Sequence, residues 1–264
     1  MNQPVLRIFS YLPSPRVAKA LIAAEFCGVR VETRGDAPAQ LQGWLWDYDA
    51  HPLDNRERVE SSPHARTSRR GFSGTLFKTD AFLCAHPFGT VPAAFGPDGT
   101  VGIFESNSIL RAVVRAAEST DLYGRDGYEA SRIDSFLDAS LVFAREAQVY
   151  LLGLRDMTSE LHARMHAAYD FYLDGIEAAL TSSDYIAGPD LSLADISFVC
   201  DLGQFLGERR GRKVLDARGL LPVTNAEPTA HPRALEHLFR LGELPEFEKH
   251  IGSLLDQLRN ELRD

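Results

Sequence analysis

Cysteine is scarce in this chain: Cys27, Cys84 and Cys200 are the only three among 264 residues, and no Cys-x-x-Cys pair occurs. An odd number of widely separated cysteines argues against a disulfide framework. The missing pair also counts against a zinc ribbon and a dithiol redox site. The thiols are therefore predicted to be free and buried, as in proteins of the reducing cytosol, and we expect a cytoplasmic location.

Long apolar runs and an excess of positive charge are absent as well. No stretch of about 18 apolar residues occurs, so no membrane span is expected. The start, MNQPVLRIFSYL, lacks the basic and apolar regions of a signal peptide. A formal net charge of −9 argues against non-specific nucleic-acid binding. The sequence thus predicts a soluble protein with neither a membrane nor a nucleic-acid partner.

The N-terminal part combines strand and helix patterns. Residues 5–11 (VLRIFSY) and 29–33 (VRVET) predict strands, and residues 16–28 between them have helical apolar spacing and end in glycine. Such a unit predicts a parallel strand pair. Residues 91–95 and 101–104 then predict a hairpin around the turn sequence Pro-Asp-Gly.

An insertion over residues 34–80 is rich in Pro, Gly, Ser and charge. A structureless loop of this length is unusual in a compact domain, and one short helix is predicted around 75–85. The segment is either a mobile surface excursion, with its basic run RTSRR (66–70) facing solvent or a partner, or a packed element. The aromatic cluster at 44–48 (WLWDY) favours packing, since clustered aromatics rarely remain in water without a purpose.

From about residue 105 onward the chain is predicted to be helical. Apolar spacing indicates helices over 127–154, 158–182, 192–206 and 245–262. The helix over 192–206 is nearly all apolar and is expected to be central and buried. The predicted organisation is α/β plus all-α, with an N-terminal domain over 1–118 and an all-helical C-terminal domain over 119–264.

A proline interrupts the first strand of the hairpin at Val91-Pro92. A trans proline in a central strand would remove a ladder hydrogen bond. A cis proline at the strand entry instead turns the backbone groups of Val91 out of the sheet, and such bonds usually mark a function or a tight turn. Val91 is therefore predicted to offer an amide pair to a peptide-like ligand, in the manner of an added strand.

Glu105 and Ser106 stand where the second hairpin strand runs into a helix. Free N–H groups and the helix dipole favour an anion there. The pair suits an α-amino acid head group, with its ammonium on Glu105 and its carboxylate on Ser106. The alternative is an ordinary serine cap after a solvated glutamate.

Ser14 has the same local setting, between a strand and a helix whose first position is Pro15. A hydroxyl at a helix start can donate to a thiolate and lower the pKa of that thiol. The alternative is again a simple helix cap.

Four motifs in chain order resemble the glutathione transferase superfamily, over the whole chain except 34–80. Residues 14–19 (SPRVAK) resemble the catalytic-serine helix of zeta-type transferases and bacterial β-etherases. Residues 90–92 (TVP) resemble its cis-proline element, 105–109 (ESNSI) its glutathione-binding motif and 192–195 (SLAD) the capping box of its central helix. The segments KALIAAEFCG and FGTVPAAFGPDGTVGIFESNSIL also resemble the transferase-like domain of translation elongation factor 1-gamma.

The resemblance implies a thioredoxin-like N-terminal domain, a transferase-type helical C-terminal domain and glutathione as cosubstrate. Glutathione would lie along Val91, and its thiolate, held by the catalytic residue Ser14, would attack an electrophilic small molecule without a metal. The implied glutathione contacts are Thr90, Val91, Pro92, Glu105 and Ser106. The implied contacts of the second substrate, between the domains, are Tyr11, Leu12, Pro13, Phe143, Ala147 and Tyr150.

Several alternatives remain open for function. The groove suits an aromatic electrophile, including an aryl ether, but Phe143 and Tyr150 fit a packed core equally well. A non-catalytic scaffold or partner subunit of the elongation-factor type is the second hypothesis; that domain has an Asn-type residue where this chain has Ser14, which favours an enzyme. A thiol reductase is the third, and serine rather than cysteine at that position counts against it.

Two further expectations concern assembly and metals. The resemblance implies a two-fold homodimer, or a heterodimer with a related chain. His162 and His166 are spaced four apart on a predicted helix, but no acidic ligand completes a metal set, so a solvated pair is expected.

Overall fold

The computed structural model describes residues 3–68, 71–117, 121–225 and 230–261. The chain divides into two compact units, Met1–Ser119 and Thr120–Asp264, whereas the sequence analysis placed the boundary after residue 118. The last two residues of the basic run RTSRR lie outside the described residues. Among the helices that the structure describes, none combines the length and the apolar character needed to cross a bilayer.

The first unit contains a main sheet, an inserted second sheet and three helices within its described residues. In chain order its elements are β1 (Leu6–Phe9), α1 (Pro15–Cys27), β2 (Val31–Arg34), β3 (Trp44–Trp46), β4 (His51–Pro52), β5 (Ala65–Thr67), β6 (Thr75–Lys78), α2 (Asp80–Ala85), β7 (Ala93–Phe95), β8 (Gly102–Phe104) and α3 (Ser106–Ala116).

The main sheet has the strand order β2-β1-β7-β8. β1 and β2 are parallel, and β7 is antiparallel to both β1 and β8. The predicted strand–helix–strand unit and the predicted hairpin are therefore confirmed. α1 ends at Gly28, whose φ of 64° is left-handed and whose N–H bonds back to the last helical turn. Glycine adopts this conformation without the clash that a Cβ atom would cause.

The insertion folds into a second sheet with the order β4-β3-β6-β5. The ring of Trp46 is buried, packs edge-on against Phe9 at 5.4 Å and Phe82 at 6.1 Å, and donates its Nε1–H to the Leu41 carbonyl over 3.0 Å. The packed alternative is confirmed, and the mobile excursion is wrong. The two sheets share one apolar core, made by Phe9, Leu41, Trp46, Ala50, Leu76, Phe82, Ala93 and Phe95.

The helix predicted around 75–85 is shorter than expected. Thr75–Lys78 forms strand β6, and α2 begins only at Asp80 because Thr79 caps it by accepting the Phe82 N–H over 3.0 Å. α2 turns Phe82 into the core and leaves Cys84 exposed. The prediction of buried thiols is therefore wrong for Cys84 and correct for Cys200, while Cys27 is half-buried; none of the three forms a disulfide bond.

The second unit is helical. Its helices are α4 (Gly127–Leu152), α5 (Ser159–Ser182), α6 (Leu193–Phe205), α7 (Arg212–Ala217), α8 (Pro232–Gly242), α9 (Pro245–Phe247) and α10 (Ser253–Glu261). α4 packs on α5 and α6, and α8 packs on the same two helices. α6 is buried almost throughout, which confirms the predicted central helix.

Two features of this unit differ from the prediction. The single helix expected over 245–262 is wrong, because a π turn over Glu248–Gly252 separates α9 from α10. The sequence analysis also missed α7 and α8. α8 has a recognisable start, since Pro232 stands at its first position.

The capping box of α6 is confirmed and extends further than predicted. Ser192 Oγ accepts the Ala194 N–H at 3.2 Å, and Asp195 accepts the Ser192 N–H at 2.9 Å. The other carboxylate oxygen of Asp195 lies 3.0 Å from the Ile186 nitrogen and 2.7 Å from His237 Nε2. Asp195 therefore joins the start of α6, the preceding loop and α8.

Candidate functional site

The strand register brings three predicted site segments to the same end of the main sheet, where β1 and β8 finish and β7 begins. Phe9, the last residue of β1, pairs with Ala93, and Ala93 pairs with Phe104, the last residue of β8. The chain beyond Phe9 leads to Ser14, the residue before Ala93 is the predicted proline, and the residue after Phe104 is Glu105. The helix start, the proline and the glutamate thus share one end of the sheet.

Two cis peptide bonds lie at this end, Leu12–Pro13 and Val91–Pro92. The second is the bond that the sequence analysis predicted to be cis. Val91 is half-buried and precedes the paired residues of β7, so the register assigns its backbone groups no strand partner. The backbone of Val91 thus stands outside the hydrogen-bond ladder of the main sheet.

Ser14 stands at the start of α1 with an extended backbone, φ −144° and ψ 118°. Its carbonyl accepts from Val17 and Ala18, but its hydroxyl makes no capping bond, so the simple side-chain cap is wrong. The Oγ atom is shielded from solvent and has no hydrogen-bond partner among the described residues. A buried hydroxyl without a partner costs about 1–3 kcal/mol, so the fold holds an uncommitted donor at this helix tip.

Glu105 and Ser106 depart from the predicted capping arrangement. α3 begins at Ser106, and Glu105 takes the position before it without a side-chain capping bond. Glu105 is exposed and has φ 65° and ψ 127°, a backbone region that L-residues rarely occupy. Such residues cost about 1–3 kcal/mol and cluster at ligand sites. Ser106 is buried, and its hydroxyl lies 3.3 Å from Lys19 Nζ.

Lys19 is a residue whose role the sequence analysis missed. It lies on α1 with 1% of its surface exposed, and its Nζ atom donates to Asn107 Oδ1 over 2.8 Å. The ammonium group thereby joins the helix that begins after Ser14 to the helix that begins after Glu105. A signal was available: a lone lysine stands between Ala18 and Ala20 in an apolar helix.

A cavity of about 630 Å³ opens beside the second sheet. Its size is typical of sites for small organic ligands. The carbonyl of Asp36, which lines the cavity, accepts the Leu12 N–H over 2.9 Å, but Tyr11, Leu12 and Pro13 do not themselves line the cavity. Its lining is mixed, with charged, amide and aromatic side chains: Asp36, Ala39, Gln40, Gln42, Gly43, Trp44, Pro52, Arg58, Glu60, Thr75 and Phe77.

The other three predicted substrate contacts, Phe143, Ala147 and Tyr150, are buried inside the second unit. Phe143 stacks on Tyr172 at 4.6 Å, and the Tyr150 hydroxyl donates to Glu208 over 2.7 Å. Burial, and then the neighbouring Glu208 carboxylate, raises the pKa of Tyr150 above its usual range. The pocket prediction is wrong for these residues, and the packed-core alternative is confirmed, because inward-facing aromatics of long helices serve packing first.

The two histidines of α5 have separate partners. His162 Nε2 lies 2.8 Å from the Leu221 carbonyl oxygen, and His166 Nδ1 lies 2.8 Å from Asp170. Within the described ranges, no group of three or more His, Cys, Asp or Glu side chains is arranged to hold a metal ion.

No protein-family model matches the chain. Elongation factor 1-gamma 1 of Oryza sativa subsp. japonica is 30% identical over 240 residues, which cover 89% of this chain and 46% of that protein. Glutathione S-transferase F9 of Arabidopsis thaliana is 32% identical over 138 residues, 46% of this chain and 60% of that protein. The chain therefore spans less than half the length of the elongation factor that it matches.

A solved structure shows the same architecture. The glutathione S-transferase of Methylobacterium radiotolerans, crystallised in complex with glutathione sulfonate, is 18% identical with a TM-score of 0.60 and covers 93% of this chain and 94% of that one. At this identity the likeness concerns the fold alone. The predicted fold class, a thioredoxin-like N-terminal part followed by a helical C-terminal part, is confirmed.

Proposed function

Because the chain belongs to the glutathione transferase superfamily, we propose that it binds glutathione at the end of the main sheet where β7 begins and uses the bound thiol against an electrophile. The observation that carries the proposal is the buried, unpartnered hydroxyl of Ser14 at the tip of α1. The proposed glutathione contacts are Thr90, Val91, Pro92, Glu105 and Ser106.

The tripeptide would lie extended along Val91, with amide pairs like those of an added strand. Its ammonium would meet the exposed carboxylate of Glu105. Its α-carboxylate would meet the start of α3, where free N–H groups and the helix dipole favour an anion. The ammonium of Lys19, close to Ser106, adds positive charge at the same place.

Ser14 supplies the chemistry in this proposal. A free thiol has a pKa of about 8.5 and is mostly protonated at neutral pH. A hydrogen bond from Ser14 Oγ–H to the sulfur, together with the helix start, stabilises the thiolate and lowers the thiol pKa. The proton leaves to solvent, the sulfur lone pair forms a carbon–sulfur bond with the electrophile, and the leaving group departs with its bonding electrons.

For the electrophile we propose an aromatic compound, with aryl-ether cleavage as one reaction. Phe143 and Tyr150 are packed in the core and do not support this proposal. Its support is the cavity beside the second sheet, whose lining includes Trp44 and Phe77, and the proposed substrate contacts are Tyr11, Leu12 and Pro13. We further propose a cytoplasmic protein that forms a homodimer or pairs with a related chain.

A second candidate is a non-catalytic subunit of the elongation-factor type. The similarity to elongation factor 1-gamma 1 of rice over 89% of this chain supports it. The two candidates differ at Ser14, because only an enzyme needs a hydroxyl that donates to the glutathione sulfur at the tip of α1. They also differ in what they bind: a scaffold requires a protein partner and no electrophile.

The test is calorimetric titration with glutathione, followed by turnover with an activated aryl halide and with a chromogenic aryl ether. We expect binding, turnover of at least one electrophile, and loss of turnover with binding retained in Ser14→Ala. Binding without turnover of either compound would favour the scaffold, and absence of binding would refute the proposal. Light scattering after size exclusion tests the dimer, which a monomer at micromolar concentration would contradict.

A further inference from the structure

His86 is a buried imidazole that none of the motifs contains. It lies in the loop between α2 and β7. Its Nε2 atom is 3.1 Å from the Thr90 nitrogen, 2.9 Å from the Thr90 carbonyl oxygen and 3.2 Å from Thr90 Oγ1. Three polar atoms of one residue thus converge on a single ring nitrogen. Thr90 immediately precedes Val91, whose backbone is proposed to pair with the ligand.

The face of the same ring contacts the other half of the site. His86 stacks on Phe104 with the ring centres 4.8 Å apart and the planes 4° from parallel. Phe104 ends β8 and immediately precedes Glu105. The edge of Phe104 is supported in turn by Phe88, at 5.2 Å. The His86 ring therefore contacts Thr90 and Phe104, which immediately precede the proposed ligand contacts Val91 and Glu105.

We propose that His86 is a positioning residue of the glutathione site: the neutral ring holds Thr90 and Phe104 in place for Val91 and Glu105, and protonation of the ring weakens glutathione binding. This inference rests on the proposed function. His86 is not among the proposed glutathione contacts, and its ring contacts Thr90, Phe104, Phe88 and Phe82.

We assign the proton of the neutral ring to Nδ1, so the protonation state decides which group of Thr90 the ring can bind. A neutral Nε2 with a free lone pair accepts the Thr90 N–H. A protonated Nε2 has no lone pair and can only donate, so its partner becomes the Thr90 carbonyl oxygen, 2.9 Å away. The exchange of partners reorients the peptide group ahead of Val91. Nδ1, on the other side of the ring, is shielded from solvent and has no partner among the described residues, so the charged ring gains no bond there.

The surroundings keep the ring neutral near neutral pH. Burial is the largest cause that lowers the pKa of His86; the Thr90 backbone acts in the opposite direction, and the positive charge of Lys78 adds to the lowering. Lys78, on β6, donates to the Gly89 carbonyl over 2.6 Å and so lies on the same loop. Two carboxylates lie at the ends of the elements next to His86. Asp80 begins α2 and pairs with Arg66 at 2.6 Å, and Glu105 follows β8 and is exposed.

The test measures affinity for S-methylglutathione, whose sulfur does not titrate, by calorimetry from mildly alkaline to mildly acidic pH. Three proteins are compared: the natural chain, His86→Gln and His86→Leu. Glutamine keeps polar atoms near the Nε2 position and does not titrate, whereas leucine fills space without an acceptor. For the natural chain we expect constant affinity at neutral pH and a loss of about tenfold on acidification through the histidine range.

The two variants should separate positioning from packing. His86→Gln should stay within about threefold of the natural affinity and lose the acid sensitivity; His86→Leu should bind about tenfold more weakly at every pH. In turnover, His86→Leu should raise KM for glutathione and leave kcat within about twofold, because Ser14 lies on another element. If His86→Leu does not fold, His86→Gln carries the test: an acid sensitivity equal to that of the natural chain overturns the inference.

Amide hydrogen exchange at Thr90 separates this inference from the proposed function. The Thr90 N–H should be protected at neutral pH in the natural chain and lose protection in His86→Leu, with or without ligand. Protection without any glutathione binding would refute the proposed function and, with it, the role of His86 toward glutathione. Normal glutathione binding by His86→Leu, with an unchanged pH profile, would overturn the role of His86 and leave the proposed function standing.

Discussion

The Nζ atom of Lys19 lies 2.8 Å from Oδ1 of Asn107, and the two residues are 88 positions apart in the chain. A buried ammonium group is costly unless it is hydrogen-bonded, so this contact matters to the fold. It ties α1, which begins after Ser14, to α3, which begins after Glu105. The two ends of the proposed site are therefore fixed to each other through the interior of the first unit.

Replacing Lys19 by methionine should lower the free energy of unfolding by about 2 kcal/mol. Methionine fills the space but leaves the Asn107 amide and the Ser106 hydroxyl buried without their donor. Urea denaturation measures the change. Arg16→Met, on the same helix but only half-buried, is the matched control and should change stability by less than about 0.5 kcal/mol. Equal effects in the two variants would contradict the bridging role of Lys19.

Ser14→Ala should separate activity from stability. Removal of an unpartnered buried hydroxyl should leave stability unchanged or raise it by about 1 kcal/mol. Turnover should fall about a hundredfold, since a donor to a developing charge is lost. Ser10 provides the control because its hydroxyl is also buried without a partner. Ser10→Ala should match the stability effect and keep full turnover; equal turnover in both variants would exclude a catalytic role for Ser14.

Glu105→Gly should stabilise the chain while weakening glutathione binding. Glycine adopts the positive φ of 65° without strain, and the expected net gain is about 1 kcal/mol after the greater freedom of the unfolded glycine is subtracted. Loss of the carboxylate should weaken glutathione binding about tenfold. Thermal unfolding and calorimetry measure the two effects. Glu105→Gln keeps the strain and removes the charge, so it should show the binding loss alone; a stabilised Glu105→Gln would count against the strain argument.

Asp195→Ala should be among the most destabilising single changes in the second unit. It removes the acceptor of the Ile186 and Ser192 N–H groups and of His237 Nε2, all in the interior. The expected loss is about 3 kcal/mol or more in urea unfolding. Ser192→Ala removes the cap of α6 and keeps the carboxylate, so its expected loss is about 1 kcal/mol. Comparable losses in both variants would show that Asp195 acts only as a cap partner.

Stability should fall as the pH drops below the ordinary histidine pKa, and His86 should account for part of the fall. Burial holds the folded-state pKa of His86 below the ordinary histidine value of about 6.5, so the unfolded chain takes up the proton first. The difference in bound protons lowers the free energy of unfolding from about that pH downward, until the folded chain is protonated as well. Urea unfolding across this range should show a smaller fall for His86→Gln. An identical fall would exclude a contribution from His86.

Local signals predicted much of this fold. Gly28 marks the end of α1, Ser192 marks the start of α6, and the Pro-Asp-Gly turn marks the hairpin. Each of these features is set by residues within a few positions of one another. The second sheet was not predictable in this way, because β3 pairs in parallel with β6, far along the chain, and β4 has only two residues.

The residues of the proposed site also differ in how well local sequence patterns predict them. Ser14, Val91 and Glu105 stand at element boundaries, where sequence patterns are informative. Lys19 and His86 act from buried positions, and their partners come from other elements, so apolar periodicity says nothing about what they bind. Phe143 was expected either in a substrate pocket or in a packed core, because an aromatic residue on a long helix has the same sequence pattern in both.

The second sheet also limits which deletions the first unit can tolerate. Trp46, Leu76 and Phe82 share a core with Phe9 and Phe95 of the main sheet. Shortening residues 34–80 to a simple connector would therefore expose to solvent the apolar side chains of the strands that carry the site. The segment therefore contributes to the core of this unit and is not a dispensable surface loop.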